Sequence, residues 1–229
     1  MKPEYIEFKN LLTKYKNQTT KPTLLLHSCC GPCSTSCLDI LKDAFDITIY
    51  YYNPNIYPSE EFEKRLMVQI DLIKKMNLDV KIIIDRDDYS EYLKYVGDYI
   101  NEKEGSIRCY KCYEFRLKRL AEKAWENKFD YYTTVMSVSP YKNSEYINEI
   151  LLKYQKDDQT LPLYSDFKKE DGYKKSIKLS LEYDLYRQDY CGCISSIKEH
   201  EARIQNKNNN TNINTNNNTN NNINNNKQI

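Results

Sequence analysis

Glycine is scarce in this chain, with 5 residues in 229 against 22 tyrosines and 8 cysteines. A loop that wraps a pyrophosphate in backbone N–H groups needs glycines at fixed spacings. Neither Gly-x-x-x-x-Gly-Lys-Ser/Thr nor Gly-x-Gly-x-x-Gly occurs, so phosphate-loop and dinucleotide-binding functions lose their usual support. Long apolar runs are missing as well. The longest, such as Leu24 to Leu26 and Ile82 to Ile84, fall far short of the roughly 20 residues that span a bilayer. The first residues, Met-Lys-Pro-Glu-Tyr-Ile-Glu-Phe-Lys-Asn, are charged and amphipathic with no apolar stretch, so no secretion signal is read and a cytoplasmic place, away from membranes, is expected. An excess of one charge is absent too: 34 Lys and Arg against 33 Asp and Glu leave +1. Any contact with nucleic acid must then come from a local basic patch. One Trp and 6 Phe beside 22 Tyr, with abundant Asn, Lys and Ile, read as an AT-rich coding bias, so the tyrosines need no functional explanation.

What is present is ordinary in bulk: 40% hydrophobic and 29% charged residues, enough for one mid-sized domain with a real core. Periodicity predicts a helix over 5–15 with Ile6, Leu11, Leu12 and Tyr15 on one face, and a buried strand over 23–27. A helix over 34–44 follows, with Cys37, Leu38 and Leu41 inward, then a β-branched and aromatic strand over 47–52. Asn53-Pro54-Asn55 marks a loop, and Ser59 is expected to cap a helix running to Met76. Further strands are expected at 80–84 and 131–135, and helices at 89–100, 109–127, 144–154 and 176–185. Strands that alternate with helix-length segments predict an α/β domain over 1–204, a parallel sheet flanked by helices, with a helical C-terminal portion lacking strand signal after Thr160. From Gln205 to Ile229 the Asn/Thr/Ile composition predicts a disordered tail.

Cysteine carries the chemistry. In a reducing compartment, clustered thiols suit metal binding or catalysis rather than a disulfide framework. The first cluster, His27-Ser28-Cys29-Cys30-Gly31-Pro32-Cys33 with Cys37 beyond it, falls where the first strand ends and a helix begins. That position favours thiolates through the helix dipole. Vicinal cysteines rarely bridge each other without strain, so Cys29 and Cys30 are read as facing a metal centre. Cys37 is read as a buried core thiol, and His27 as a hydrogen-bonding support rather than a ligand. The second cluster, Arg108-Cys109-Tyr110-Lys111-Cys112-Tyr113-Glu114-Phe115-Arg116-Leu117, puts Cys-x-x-Cys at a helix start, a bite used by zinc and by iron–sulfur clusters. The third, Tyr186-Arg187-Gln188-Asp189-Tyr190-Cys191-Gly192-Cys193, could form an easily reduced disulfide or chelate a metal. Three clusters exceed the four ligands of a structural zinc. The early Cys29, Cys33 and Cys37, spaced by four, depart from the Cys-x-x-x-Cys-x-x-Cys of radical enzymes.

These motifs, together with Asp166-Phe167-Lys168-Lys169 and the Gly172 that follows, resemble the cobalamin-independent epoxyqueuosine reductases of the QueH type. The resemblance runs from about Leu24 to about Ile197. Gly31 stands where alanine is more usual in that family, a departure expected to be harmless. The resemblance implies a HUP-like core, a [4Fe-4S] cluster, and reduction of epoxyqueuosine to queuosine in the anticodon of tRNA. By motif, Cys29, Cys30, Cys109 and Cys112 look like the cluster ligands. Cys191 and Cys193 look like a redox-active disulfide pair, and Cys33 with them is a candidate for an additional iron. Removing an epoxide oxygen takes two electrons, so a second redox partner beside the cluster, and an outside electron donor, are expected.

Asp166, Tyr190 and Arg187 are candidates for placing or protonating the substrate oxygen. Lys168, Lys169 and Lys174, with Lys175 and Lys178, are candidates for RNA contact, and Tyr186 and Tyr190 for stacking on bases. Three rivals stay open at this point: a zinc-stabilised nucleic-acid-binding module, a thiol–disulfide oxidoreductase needing only Cys191 and Cys193, and an ATP-dependent tRNA thiolase. The last should carry a Ser-Gly-Gly-x-Asp-Ser loop after the first strand, where this chain has cysteines.

Overall fold

A computed structural model describes residues 2–16, 18–86, 89–164 and 166–206; the expected tail beyond Asn206 lies outside the described residues. Two compact units make up the chain, Met1–Gln188 and one beginning at Asp189.

Among its described residues the first unit carries five strands: β1 (Thr23–His27), β2 (Asp46–Tyr52), β3 (Lys81–Asp85), β4 (Tyr131–Thr134) and β5 (Leu161–Pro162). Its helices are α1 (Pro3–Tyr15), α2 (Gly31–Leu41), α3 (Ser59–Lys75), α4 (Tyr89–Val96), α5 (Ile107–Glu126), α6 (Ser144–Lys153) and α7 (Gly172–Glu182). All strand pairs are parallel and the sheet order is β3-β2-β1-β4-β5. The chain therefore winds outward from β1 to β3, then returns to the other side of β1. Such a reversal opens a crevice between β1 and β4 at the carboxyl ends of the strands.

Alternation along the strands sorts the core into two layers. Leu24, Leu26, Ile47 and Ile49 face α2 and α3, while Leu25, Tyr50, Tyr52 and Tyr132 face α5 and α6. The α1 face differs from expectation. Tyr5 and Phe8 are the buried residues and Ile6 is 47% exposed, because the aromatic pair packs with Tyr164 and Phe167. Helix ends also shift. Asn143 caps α6 by accepting from the N–H groups of Glu145 and Tyr146 at 2.8 and 3.3 Å. In α3 the cap residue is Pro58, and Ser59 is the first helical residue, its hydroxyl turned to Glu60. The region after Thr160 does contain a strand. Leu161 and Pro162 pair with Tyr131 and Tyr132, and Pro162 needs no N–H on this outer strand.

In the second unit a helix spans 194–206, so helical structure reaches two residues past the expected start of the tail. Among the described residues no helix is long and apolar enough to cross a membrane.

Candidate metal centre

β1 ends at His27, and α2 begins four residues later with Cys30 as its N-terminal cap residue. The helix thus starts three residues earlier than its periodicity suggests, which draws Cys33 into its first turn. Cys29 and Cys30 Sγ are 3.9 Å apart and Cys30 and Cys33 Sγ 2.7 Å. Among the described residues these three form the one group of three or more His, Cys, Asp or Glu side chains whose ligand atoms all lie within 4.8 Å of each other. Thiolates around one tetrahedral ion at about 2.3 Å would stand roughly 3.8 Å apart.

Hydrogen bonds from the Cys30 and Cys33 thiols keep the Cys29 thiol well below the usual range; burial opposes this, and the charges of Lys142 and Arg116 add to it. Burial pushes Cys30 up to about 12, and Cys33 is held well above its ordinary value chiefly by its bond to the Cys29 sulfur. Cys37 sits within the core with its thiol on the Cys33 carbonyl at 3.3 Å, and burial raises it. A set of soft donors, with the Cys29 thiol held low beside buried Arg116, fits a thiophilic metal group.

Polar side chains fix the loop that carries the trio. His27 bridges three strands: Nδ1 is 2.7 Å from Thr134 Oγ1 and Nε2 3.0 Å from the Tyr52 carbonyl. Burial, with Arg116 nearby, lowers it to about 3, so the ring is neutral. Asn53 donates to the Ser28 carbonyl at 2.8 Å and accepts from Arg116. Behind the loop, Gln69 Oε1 accepts from both Ser28 and Ser34 at 2.7 Å. Nearby on α3, Arg65 donates to Glu61 at 2.6 Å, and its charge reaches Cys30. The motif quotes Arg116 without giving it a role, and Asn53, Gln69, Arg65 and Lys142 go unread. Arg116 lies one turn after Cys112 on α5, the signal that could have found it; the others belong to elements read only for their apolar residues or turns.

Cys109 and Cys112 occupy the first turns of α5. Cys109 accepts from the Gly105 N–H at 3.2 Å and borders the same apolar layer as Cys29; Cys112 packs beside Tyr92 and Val96. Arg116, two turns after Cys109, reaches His27 Nε2 at 3.3 Å, so the start of α5 stands at the carboxyl edge of β1. Cys33, expected only beside the cluster, is in the tight trio with Cys29 and Cys30, and Cys109 and Cys112 are outside it.

Charge in the basic run is largely matched. Lys168 and Lys169 lie 3.7 and 3.5 Å from the buried Asp166, Lys174 pairs with Asp171, and Lys175 with Asp39. Arg187 donates to Ser180 and covers the Tyr173 ring. Lys168 also lines, with Lys142, Tyr141, Asn143, Ser144 and Gly105, a cavity of about 400 Å³ at the end of β4. Tyr186 donates to Glu61 at 3.3 Å under the Lys64 ammonium.

In the second unit, Gly192 takes φ 111° between Cys191 and Cys193, a left-handed turn that favours glycine. Its N–H donates to Ser196 Oγ, which donates to the Cys193 carbonyl. The Tyr190 ring packs against His200.

Fold and site define a class: a parallel α/β protein with a thiol-lined centre at the topological switch point, where related sheets bind their ligands. Within that class, the family model described as "Epoxyqueuosine reductase QueH" matches residues 24–199, and the chain belongs to this family of oxidoreductases. Curated relatives of that name include one from Streptococcus pyogenes serotype M1, 39% identical over 188 residues, covering 80% of this chain and 74% of the relative. Another, from Staphylococcus aureus strain Mu50, is 39% identical and covers 81% and 80%. One from Thermotoga maritima is 32% identical and covers 81% and 97%. A solved structure, the U34-tRNA thiolase NcsA from Methanococcus maripaludis with its [4Fe-4S] cluster, aligns at TM-score 0.46 and 14% identity over 86% of this chain and 70% of that one.

Proposed function

We propose that this chain reduces epoxyqueuosine to queuosine at the wobble position of tRNA, in the cytoplasm, with a [4Fe-4S] cluster held by Cys29, Cys30, Cys109 and Cys112. The observation that carries the reading is the cysteine trio gathered at the sheet's switch point. Cys33, beside Cys30, is a donor for an additional iron, and Cys191 and Cys193 are a redox-active pair. When bound, the cluster supplies electrons one at a time.

The protein's own residues complete the chemistry. Opening an epoxide to an alkene consumes two electrons and two protons and releases water. Oxidation of the Cys191 and Cys193 thiols to a disulfide delivers both pairs, and an outside donor then restores the dithiol. Arg116 holds positive charge against Cys29 without a proton to lose. The cavity beside Cys109 admits the modified nucleoside, with Lys142 and Lys168 toward its phosphate and Tyr141, 74% exposed, available for stacking. Asp166, Tyr190 or Arg187 helps place or protonate the departing oxygen, and Lys169 and Lys174 add electrostatic attraction for the RNA.

Anaerobic purification with iron and sulfide analysis tests the centre. A brown protein that bleaches on reduction, and that converts an epoxyqueuosine-bearing anticodon stem-loop under a chemical reductant, is the expected result. A colourless zinc protein without turnover would overturn it.

A further inference from the structure

A second cavity, of about 320 Å³, opens at the carboxyl ends of β2 and β3 and has no part in the reaction described above. Pro54, Ile56, Tyr57, Phe62 and Tyr89 give it apolar and aromatic walls. The Tyr57 and Tyr89 rings stand 5.6 Å apart at 29°, and Tyr57 stays 44% exposed. Arg86 closes the rim with a two-pronged bond to Glu63 at 2.9 and 3.2 Å. Flat apolar walls with a donor fork and a carboxylate at the edge are the parts needed to stack a planar heterocycle and meet its polar edge. An aliphatic ligand would use neither the ring faces nor the fork.

Strand order fixes where this cavity lies. Along the carboxyl edge, the lysine-bearing cavity stands at β4, the cysteine trio at β1, and the aromatic cavity at β2 and β3. Adjacent strands are about 4.8 Å apart, so the aromatic cavity is one to two strand spacings from the trio. Asn53 joins the two directly, lining the cavity while holding Arg116 and the Ser28 carbonyl. A single-stranded loop whose reacting nucleoside enters at β4 and β1 would run its neighbour to this point. We infer that the aromatic cavity takes the base of a nucleotide flanking the one being reduced, stacking it on Tyr57. The inference rests on the tRNA reading above and deepens it.

Fluorescence anisotropy with a labelled anticodon stem-loop tests it, using the full chain, the Tyr57→Ala and Tyr57→Phe variants, and RNAs made abasic at each flanking position. Loss of one stacked base should weaken binding about tenfold. For the unaltered chain and Tyr57→Phe, that loss should follow from one of the two abasic substitutions. Tyr57→Ala should bind the intact loop about tenfold more weakly and then ignore the same abasic change. If Tyr57→Ala responds to both abasic RNAs as the unaltered chain does, the inference is overturned, whereas turnover by the unaltered chain would leave the parent reading standing. Failure of the unaltered chain to bind or reduce any stem-loop overturns both. Free adenosine or guanosine monophosphate, added in excess, separates the remaining source of such a ring. Tyr57-dependent binding of the mononucleotide, with no effect from either abasic change, would assign the cavity to a mononucleotide instead.

Discussion

Gly31 lets α2 press against α3. A Cβ at that position would stand 2.8 Å from Val68 Cγ1 and 2.9 Å from the Val68 carbonyl oxygen, and the carbonyl cannot rotate away. Glycine at this position is therefore tied to close helix packing in this chain, and its replacement by alanine is costly. Gly31→Ala should lower stability by about 1–3 kcal/mol, read by urea denaturation. Adding Val68→Ala should recover only part of the loss, because the backbone contact remains. Gly172 is tighter still, with a Cβ placed 1.8 Å from the Phe167 carbonyl oxygen, which explains the glycine after Asp166-Phe167-Lys168-Lys169. Cys29 is the residue whose loss should matter most chemically. Cys29→Ser should cut bound iron and sulfide sharply in the anaerobically purified protein. Full metal content in that variant would remove Cys29 from the ligand set.

Helix α5, which begins at the candidate site, is tied to its surroundings through Glu114. Its carboxylate is buried on α5 and accepts from Tyr95 at the end of α4, from Lys111 one turn back, from Lys153 at the end of α6, and from Tyr154 just beyond. Burial alone would raise this carboxyl, but the four donors hold it down to about 2. Glu114→Ala leaves those donors without their shared acceptor and should cost about 2–4 kcal/mol in thermal or urea unfolding, with Glu114→Gln recovering a fraction. α3 plays a comparable part from the other face. Its apolar residues Leu66, Ile70 and Ile73 are legible from spacing, yet Gln69, which holds the cysteine loop, and Arg65, whose charge reaches Cys30, are buried polar residues that no periodicity scan selects. Their burial is tolerated because Glu61, Ser28 and Ser34 meet them.

At the scale of the molecule, the order β3-β2-β1-β4-β5 brings residues some 80 to 110 positions apart to one edge: Cys29 and Cys109 border one apolar layer, and His27 bonds Thr134. The cysteine pair at 191 and 193 belongs to the second unit, so its role is best isolated by function. Cys191→Ser should leave iron and sulfide content near that of the unaltered protein while abolishing turnover of the epoxyqueuosine stem-loop. Full activity in that variant would discard the redox-pair role.

Local chemistry wrote the elements into the sequence. The leucine run of β1 and the β-branched and aromatic run of β2 lie where strands form, within a residue. The Cys-x-x-Cys stood at a helix start, His27 was a supporting side chain and Cys37 a core thiol. The burial of Tyr5 and Phe8 in place of Ile6 and the strand at Leu161 are each decided by a distant partner, the aromatic cluster around Phe167 and the open side of β4, whereas the cap falls on Pro58 because the backbone is extended one residue before Ser59. The same holds for the site. Cysteine identity, the approach of Cys33 to Cys30 in one helical turn and the pairing of Lys169 and Lys174 with carboxylates three residues back are local, but the reach of Arg116 to His27 and Asn53 and the pairing of Lys175 with Asp39 arise only when the sheet order and helix packing are fixed. Those contacts depend on through-space distance, which spacing along a chain does not encode.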